Sequence, residues 1–325
     1  MAQSIVVDSL RLEFKIIQKQ PGLSGALRNL INPTTTTFAA VDDISFTIGP
    51  GELVGFIGPN GAGKTSTLKM LSGLLAPTAG EVSVLGQTPF KRHPDWLKQI
   101  SLVMGQKNQL IWDLPAMDTF LLHKAIYNLP ENDYHTMLNQ LIELMEVQEQ
   151  LQTPVRKLSL GQRMKMELIA ALLHQPKVLY LDEPTIGLDV VVQRNLRDFI
   201  REYNRRFEAT ILLTSHYMGD VQELCSRIIM ISHGKILFDG RLQSLISQYA
   251  PNRVIRFVVR QDLDRQKIAK LGEIQDWNPP NVSLLVPRDQ ATKQAAKLLQ
   301  TVDVSDLTIE ETPIEDTIRE IFHRE

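Results

Sequence analysis

Apolar positions change period several times along this chain. Residues 5 to 17, IVVDSLRLEFKII, are rich in strand formers. So are residues 41 to 48 (VDDISFTI) and 52 to 57 (ELVGFI), around a Gly-Pro-Gly turn. Upstream of that pair, Leu23, Ala26, Leu27, Leu30 and Ile31 recur at helical spacing until Pro33 and the run Thr34 to Thr37 break the pattern. This insert, about 18–37, interrupts a strand-rich region. TSTLKMLSGLL then predicts a helix, PTAG at 77 to 80 a turn, and EVSVLG a strand. Residues 115 to 175 are mostly helical in pattern. Beyond them KVLYLDE, LDVVVQRNLRDFIREYN, TILLTSH and MGDVQELCS alternate strand with helix, and RIIMISHGKILFDG predicts a hairpin turning at His233-Gly234. Strand–helix alternation predicts a largely parallel sheet covered on both faces.

After Pro251 the texture changes. RVIRFVVR, a charged helical stretch, NVSLLVPR, ATKQAAKLLQ, DLTIEE and TPIEDTIREIF predict a small separate α+β domain over 251–325, following a main domain over 1–250. Its last helix opens on a capping box, Thr312 with Glu315, and has Pro313 in its first turn. Ile314, Ile318, Ile321 and Phe322 form the apolar stripe of that helix.

Two stretches carry chemistry. The first is the glycine loop Gly58, Pro59, Asn60, Gly61, Ala62, Gly63, Lys64, Thr65 and Ser66. It fits G-x-x-x-x-G-K-[ST], follows an apolar strand and opens a helix, which is the context the motif requires. Glycines let backbone N–H groups turn toward a phosphate, and the helix start adds its positive dipole end. In this motif Lys64 is placed to reach the β- and γ-phosphates, and the Thr65 hydroxyl can ligate Mg²⁺. The second is VLYLDE, an apolar strand that delivers Asp182 and Glu183 at its C-terminal end. Asp182 suits the Mg²⁺ side, acting through water. Glu183 suits general-base work on an attacking water. The loop implies a nucleoside triphosphate without saying what its energy drives.

Composition narrows the partners. Lys plus Arg is 35 against 37 for Asp plus Glu, so no basic excess points to nucleic acid. Hydrophobic residues make up 43% of the 325, ample for a large core. Cys225 is the only cysteine, which forbids an internal disulfide and fits a reducing cytosol. The start, MAQSIVVDSLRLEF, lacks the order of a signal peptide, and no run approaches the roughly 20 apolar residues that cross a bilayer. By these measures the chain is soluble or peripheral, which leaves room for a membrane partner.

With these residues in hand, the chain resembles an ATP-binding subunit of an ABC transporter, over roughly residues 40 to 240. The phosphate loop at 58 to 65, Gln106 in SLVMGQKNQL, the turn LSLGQ at 158 to 162, the acid strand, Gly187-Leu188-Asp189 and His216 in LLTSHYMGD follow in the family's order. The resemblance implies a P-loop NTPase of the ABC type, α/β, with a helical subdomain at about 107–165. It implies two ATP molecules, with Mg²⁺, bound between two head-to-tail copies, so that Ser159, Gly161 and Gln162 meet the γ-phosphate held by the partner copy. It assigns Asp189 to the D-loop, Gln106 to sensing Mg²⁺ and water with Gln109 as a neighbouring candidate, and His216 to the γ-phosphate. Leu160 departs from the usual glycine. For the adenine platform the nearby aromatic is Phe38, equally readable as a core residue.

The resemblance is nearest to ATPases of ABC-2-type exporters of drugs, lipids or polysaccharides, and implies an integral-membrane permease and a second ATPase copy, identical or not. Leu110, Ile111, Trp112 and Leu114 are more apolar than a loop should be. They read either as a groove for a permease helix or as packing under the helical subdomain. The insert GLSGALRNLI reads as a second contact or as a helix packed on its own domain. The C-terminal domain suits dimer or permease contact. The competing function is a soluble ABC ATPase remodelling a ribosome or nucleic-acid complex. One phosphate loop, one signature and no sustained heptads between them count against it, as does the charge balance. A non-hydrolysing regulatory module is disfavoured by Glu183 and His216.

Overall fold

A computed structural model of the protein describes residues 3–17, 35–105, 107–215, 217–249, 252–260, 264–311 and 314–323. The helical spacing at 18–34, Gln106, His216, Thr312 and Pro313 lie outside the described residues. The chain divides into two compact units, Met1–Gly240 and Arg241–Glu325.

Among the described residues the first unit holds two sheets. Strands Ile5–Ile17 (β1), Thr35–Ile48 (β2) and Ala79–Val84 (β4) form an antiparallel sheet in the order β2-β1-β4. This second sheet is absent from the sequence expectation, because pairing partners so far apart leave no local trace. The larger sheet contains Leu53–Ile57 (β3), Ile100–Met104 (β5), Val178–Asp182 (β6), Thr210–Thr214 (β7), Arg227–Ser232 (β8) and Lys235–Arg241 (β9). Its order is β5-β6-β7-β3-β8-β9. The pairs from β5 through β8 are parallel, as the strand–helix alternation predicts. β8 turns into β9 through His233 and Gly234, at φ 47° and 79°, the two positive values a type I′ hairpin turn needs.

Helix Lys64–Leu71 is packed between the sheets. Its Leu68, Met70 and Leu71 share one core with Ile5, Leu10, Val41 and Ile44 from one sheet and Val178, Tyr180 and Leu212 from the other. The Tyr180 hydroxyl donates to Leu71 O at 3.2 Å. Helices Ala116–Tyr127, Glu131–Met145 and Leu160–Leu172 make the helical part, and the last also packs on β5.

The second unit runs β10 (Asn252–Val259), helix Arg265–Ala269, β11 (Glu273–Asn278), β12 (Asn281–Pro287), helix Ala291–Thr301 and β13 (Val304–Glu311). The sheet is antiparallel throughout in the order β11-β12-β10-β13, the split βαββαβ arrangement of ferredoxin-like domains. Ile255, Phe257, Leu284, Val286, Ala295 and Leu298 build its core. Strand β11, EIQDWN, escapes a sequence reading because it is an edge strand with mostly exposed side chains. Ile314, Ile318 and Ile321 of the last helix are buried as its stripe predicts, and the helix packs on Leu242–Tyr249.

Candidate functional site

Strands β6, β7 and β3 are parallel neighbours, so their C-terminal ends open on one edge, where α/β sheets bind ligands. The chain leaves β3 at Ile57 and turns through Gly58–Gly63 into helix Lys64–Leu71. Gly63 is the N-cap at φ 107°, and a Cβ there would lie 2.4 Å from Ala40 O. Only glycine fits that conformation in that space. The Lys64 side chain folds back over the loop. Its Nζ donates to Gly58 O at 2.7 Å and to Pro59 O at 3.0 Å, and the residue is buried. Burial pulls the Lys64 ammonium below its ordinary pKa, while the charges of Glu183 and Asp182 oppose that. An ammonium held by two loop carbonyls is already centred in the cradle that a phosphate would fill.

Asp182 ties this loop to the rest of the edge. Its Oδ2 accepts from Thr65 Oγ1 at 2.9 Å and its Oδ1 from Thr214 Oγ1 at 2.7 Å. Thr214 ends β7 and lies directly beside Asp182 in register. It also receives the Glu183 N–H, at 3.1 Å to both its carbonyl and its hydroxyl. Glu183 itself has φ 55°, a left-handed conformation unfavourable for a side chain of this kind and typical of functional turns. The turn packs against β5. Gly105 N donates to Asp182 O at 2.9 Å, and a Cβ on Gly105 would meet Glu183 O at 2.2 Å.

The Thr65 hydroxyl and the Asp182 carboxylate, in contact beside the phosphate cradle, are the hard oxygen donors that suit Mg²⁺. Among the described residues no cluster of three His, Cys, Asp or Glu could hold a metal alone. Mg²⁺ characteristically takes one or two protein oxygens and completes its shell with water and substrate phosphates.

Phe38 lies on β2, half exposed at 50%, and not in the core. Its cross-strand partner is Phe14 of β1, exposed at 42%. Directly paired residues share a face, so the two rings mark one exposed aromatic site, two residues from the Ala40 carbonyl that abuts Gly63. Phe14 and Thr214 were missed by the sequence reading. Phe14 continues the alternation of Leu10 and Leu12 and so reads as one more core position. Thr214 matters only through its neighbour on β6.

Ser159 caps helix Leu160–Leu172. Its Oγ accepts from Gln162 N at 3.2 Å and Gln162 Oε1 accepts from Ser159 N at 2.9 Å, a complete capping box. Ser159 and Leu160 are exposed, and Leu160 lies against Gly187. A Cβ on Gly161 would sit 2.8 Å from Val192 Cγ1. Asp189 caps helix Val190–Phe207, accepting from Val192 N at 3.0 Å. No described hydrogen bond joins this turn to the phosphate loop of the same chain.

Buried Glu167, two turns into the same helix, accepts from Gln109 N at 3.0 Å and Leu110 N at 3.4 Å. The Gln109 side chain donates to Leu102 O at 2.8 Å. Farther along, Arg156 N and Val155 N donate to Trp112 O and Leu114 O, both at 3.0 Å. The loop is thereby bonded to both sides of the Ser159 turn. Ile111, Trp112 and Leu114 are exposed, whereas Leu110 is buried at 5% and belongs to the interior.

The chain is similar to known proteins in sequence and in fold. A family model described as ABC transporter matches residues 41–186. A second, described as the C-terminal domain of EvrA-like ABC transporters, matches residues 251–310. The chain is 34% identical over 206 residues to the ABC transporter ATP-binding protein NatA of Bacillus subtilis, covering 63% of this chain and 83% of that one. It is 34% identical over 206 residues to the Nod factor export ATP-binding protein I of Burkholderia lata, covering 63% of this chain and 67% of that one. Its fold matches a dimeric ATP-binding cassette solved with ADP and Pi in a post-hydrolysis state. That match has a TM-score of 0.60 and 21% identity, over 73% of this chain and 98% of that one. Among the described residues no helix is long and apolar enough to cross a membrane.

Proposed function

Since the chain belongs to the family of ABC transporter ATP-binding subunits, and is thus an ATP-binding and ATP-hydrolysing subunit, we propose that it hydrolyses ATP at sites shared by two head-to-tail copies and drives a separate membrane permease in export. The observation that carries the shared site is the Ser159 turn. It is an exposed, capped helix start, suited to an anion, and among the described residues it makes no hydrogen bond to its own phosphate loop. A second copy can bring its nucleotide to that turn, where Ser159, Gly161 and Gln162 meet the γ-phosphate and Asp189 lines the approach. The relative named for Nod factor export supports the direction.

In this reading the adenine stacks on the exposed face marked by Phe38 and Phe14. The Gly58–Ser66 loop wraps the phosphates with backbone N–H groups, and Lys64 exchanges its loop carbonyls for β- and γ-oxygens. Thr65 and Asp182 would hold Mg²⁺, which neutralises phosphate charge when bound, and Gln106 would complete that side. Glu183 takes the proton from the attacking water as the new P–O bond forms, and His216 steadies the γ-phosphate as the bond to ADP breaks.

Glu183→Gln and Lys64→Ala test the reading together. Glu183→Gln should bind ATP, lose turnover by about 10² or more, and accumulate as an ATP-loaded dimer in size-exclusion chromatography. Lys64→Ala should lose ATP binding. A Glu183→Gln chain that stays monomeric at saturating ATP, with or without its membrane subunit, would refute the shared site.

A further inference from the structure

Asp220 lies outside every role assigned so far, yet it is fully buried at 0% exposure, on the short helix Met218–Leu224. A carboxylate taken out of water needs its lone pairs filled. Three donors from three separate segments fill them. The Thr185 hydroxyl donates to Oδ2, the Ser215 hydroxyl to Oδ2 at 2.8 Å, and Arg197 Nη1 to Oδ1 at 2.9 Å. Arg197 is buried too, and its Nε donates onward to Glu223 at 3.0 Å.

The two hydroxyls are informative by position. Thr185 is two residues beyond Glu183 on the turn leaving β6. Ser215 follows Thr214, the residue that receives the Glu183 N–H and binds Asp182, and it precedes His216 in sequence. Ser215 Oγ also accepts from Tyr217 N at 3.0 Å, so it braces the chain on both sides of position 216. Gln193 Nε2 donates to Leu188 O at 3.1 Å, steadying the far end of the same turn. One buried carboxylate therefore ties the turn that carries Glu183 to Ser215, and through Ser215 to Tyr217, the two residues that flank position 216 in sequence. The bonds that hold the phosphate cradle, Lys64 to Gly58 and Pro59, do not pass through it.

We propose that Asp220 is a positioning residue for ATP hydrolysis, setting the placement of Glu183 through Thr185 and of Ser215 and Tyr217 through the Ser215 hydroxyl. This rests on the reading of Glu183 as general base. Proton transfer demands hydrogen-bond reach to the attacking water, so a small misplacement costs rate while leaving nucleotide binding in place.

The test measures steady-state hydrolysis of Mg²⁺-ATP by the full chain. Thr185→Val keeps the shape and removes the donor. It should lower kcat about tenfold or more while KM for ATP stays within about twofold. Thr185→Ser restores the donor and should recover at least about half of the lost turnover. Asp220→Asn should follow Thr185→Val; if it fails to fold, the Thr185 pair decides alone. The proposal is overturned if Thr185→Val keeps kcat within about twofold of wild type. It is equally overturned if Thr185→Ser loses as much as Thr185→Val, or if KM rises in step with the fall in kcat. Glu183→Gln in the same assay separates the two levels. Normal turnover there removes the general base itself. Loss there with normal turnover in Thr185→Val removes only the role of Asp220.

Discussion

His174 shows how one side chain sets a pH limit. Its Nε2 donates to Ile100 O at 3.1 Å, which fixes the tautomer and leaves Nδ1 as an acceptor with no hydrogen-bond partner among the described residues. The Tyr127 ring stacks on it at 3.9 Å between centroids. Burial holds the imidazole down to about 4 from an ordinary 6.5; the Ile100 carbonyl works against that shift and His123 adds to it. Between those values the unfolded chain binds the proton and the folded chain does not. Stability from this group is therefore whole above pH 6.5, falls as the pH drops toward 4, and levels off below. Urea unfolding across that window should show an acid-side slope that His174→Gln reduces, by up to about 1.4 kcal/mol per pH unit. An unchanged slope would place the titration elsewhere. Lys64, Thr65, Asp182 and Glu183 were legible in the sequence because each sits in a short contiguous motif whose chemistry is local. Thr214, Phe14 and Asp220 were not. Their importance arises when strands distant in sequence become neighbours, as Asp182 and Thr214 do on β6 and β7.

Helix Ala116–Tyr127 leaves Leu121, Leu122 and Ile126 exposed at 50%, 46% and 60%. The loop before it adds Ile111, Trp112 and Leu114, with the Arg163 guanidinium 5.6 Å from the Trp112 ring centroid. Such a concentration of exposed apolar residues exceeds what scattered surface positions need. Under the proposed function its occupant is a cytoplasmic helix of the permease. Trp112→Ala should lower recovery of the membrane subunit in affinity purification at least about fivefold, the loss of one buried aromatic anchor, and leave ATP binding intact. Equal recovery with unaltered coupled ATPase would exclude the patch as that contact. The period of 110–114 showed an apolar loop but not its division, with Leu110 turned inward and its neighbours outward.

The two units carry separate cores. The ferredoxin-like sheet of Arg241–Glu325 closes on Ile255, Phe257, Val259, Leu284 and Leu298 within its own residues. Residues 241–325 expressed alone should therefore unfold in one cooperative thermal transition. A gradual, non-cooperative melt would show that the unit depends on the rest of the chain.

Glu167 has a mechanical consequence. Its carboxylate grips two backbone amides of the 109–110 loop, and a residue gripped by its main chain cannot swing aside as a long side chain would. The loop that leads to Trp112 is thus tied by its main chain to the helix that opens on Ser159. Under the proposed function, a push on the loop that bears Trp112 would therefore also push on that helix, through main-chain bonds and not through a side chain free to rotate.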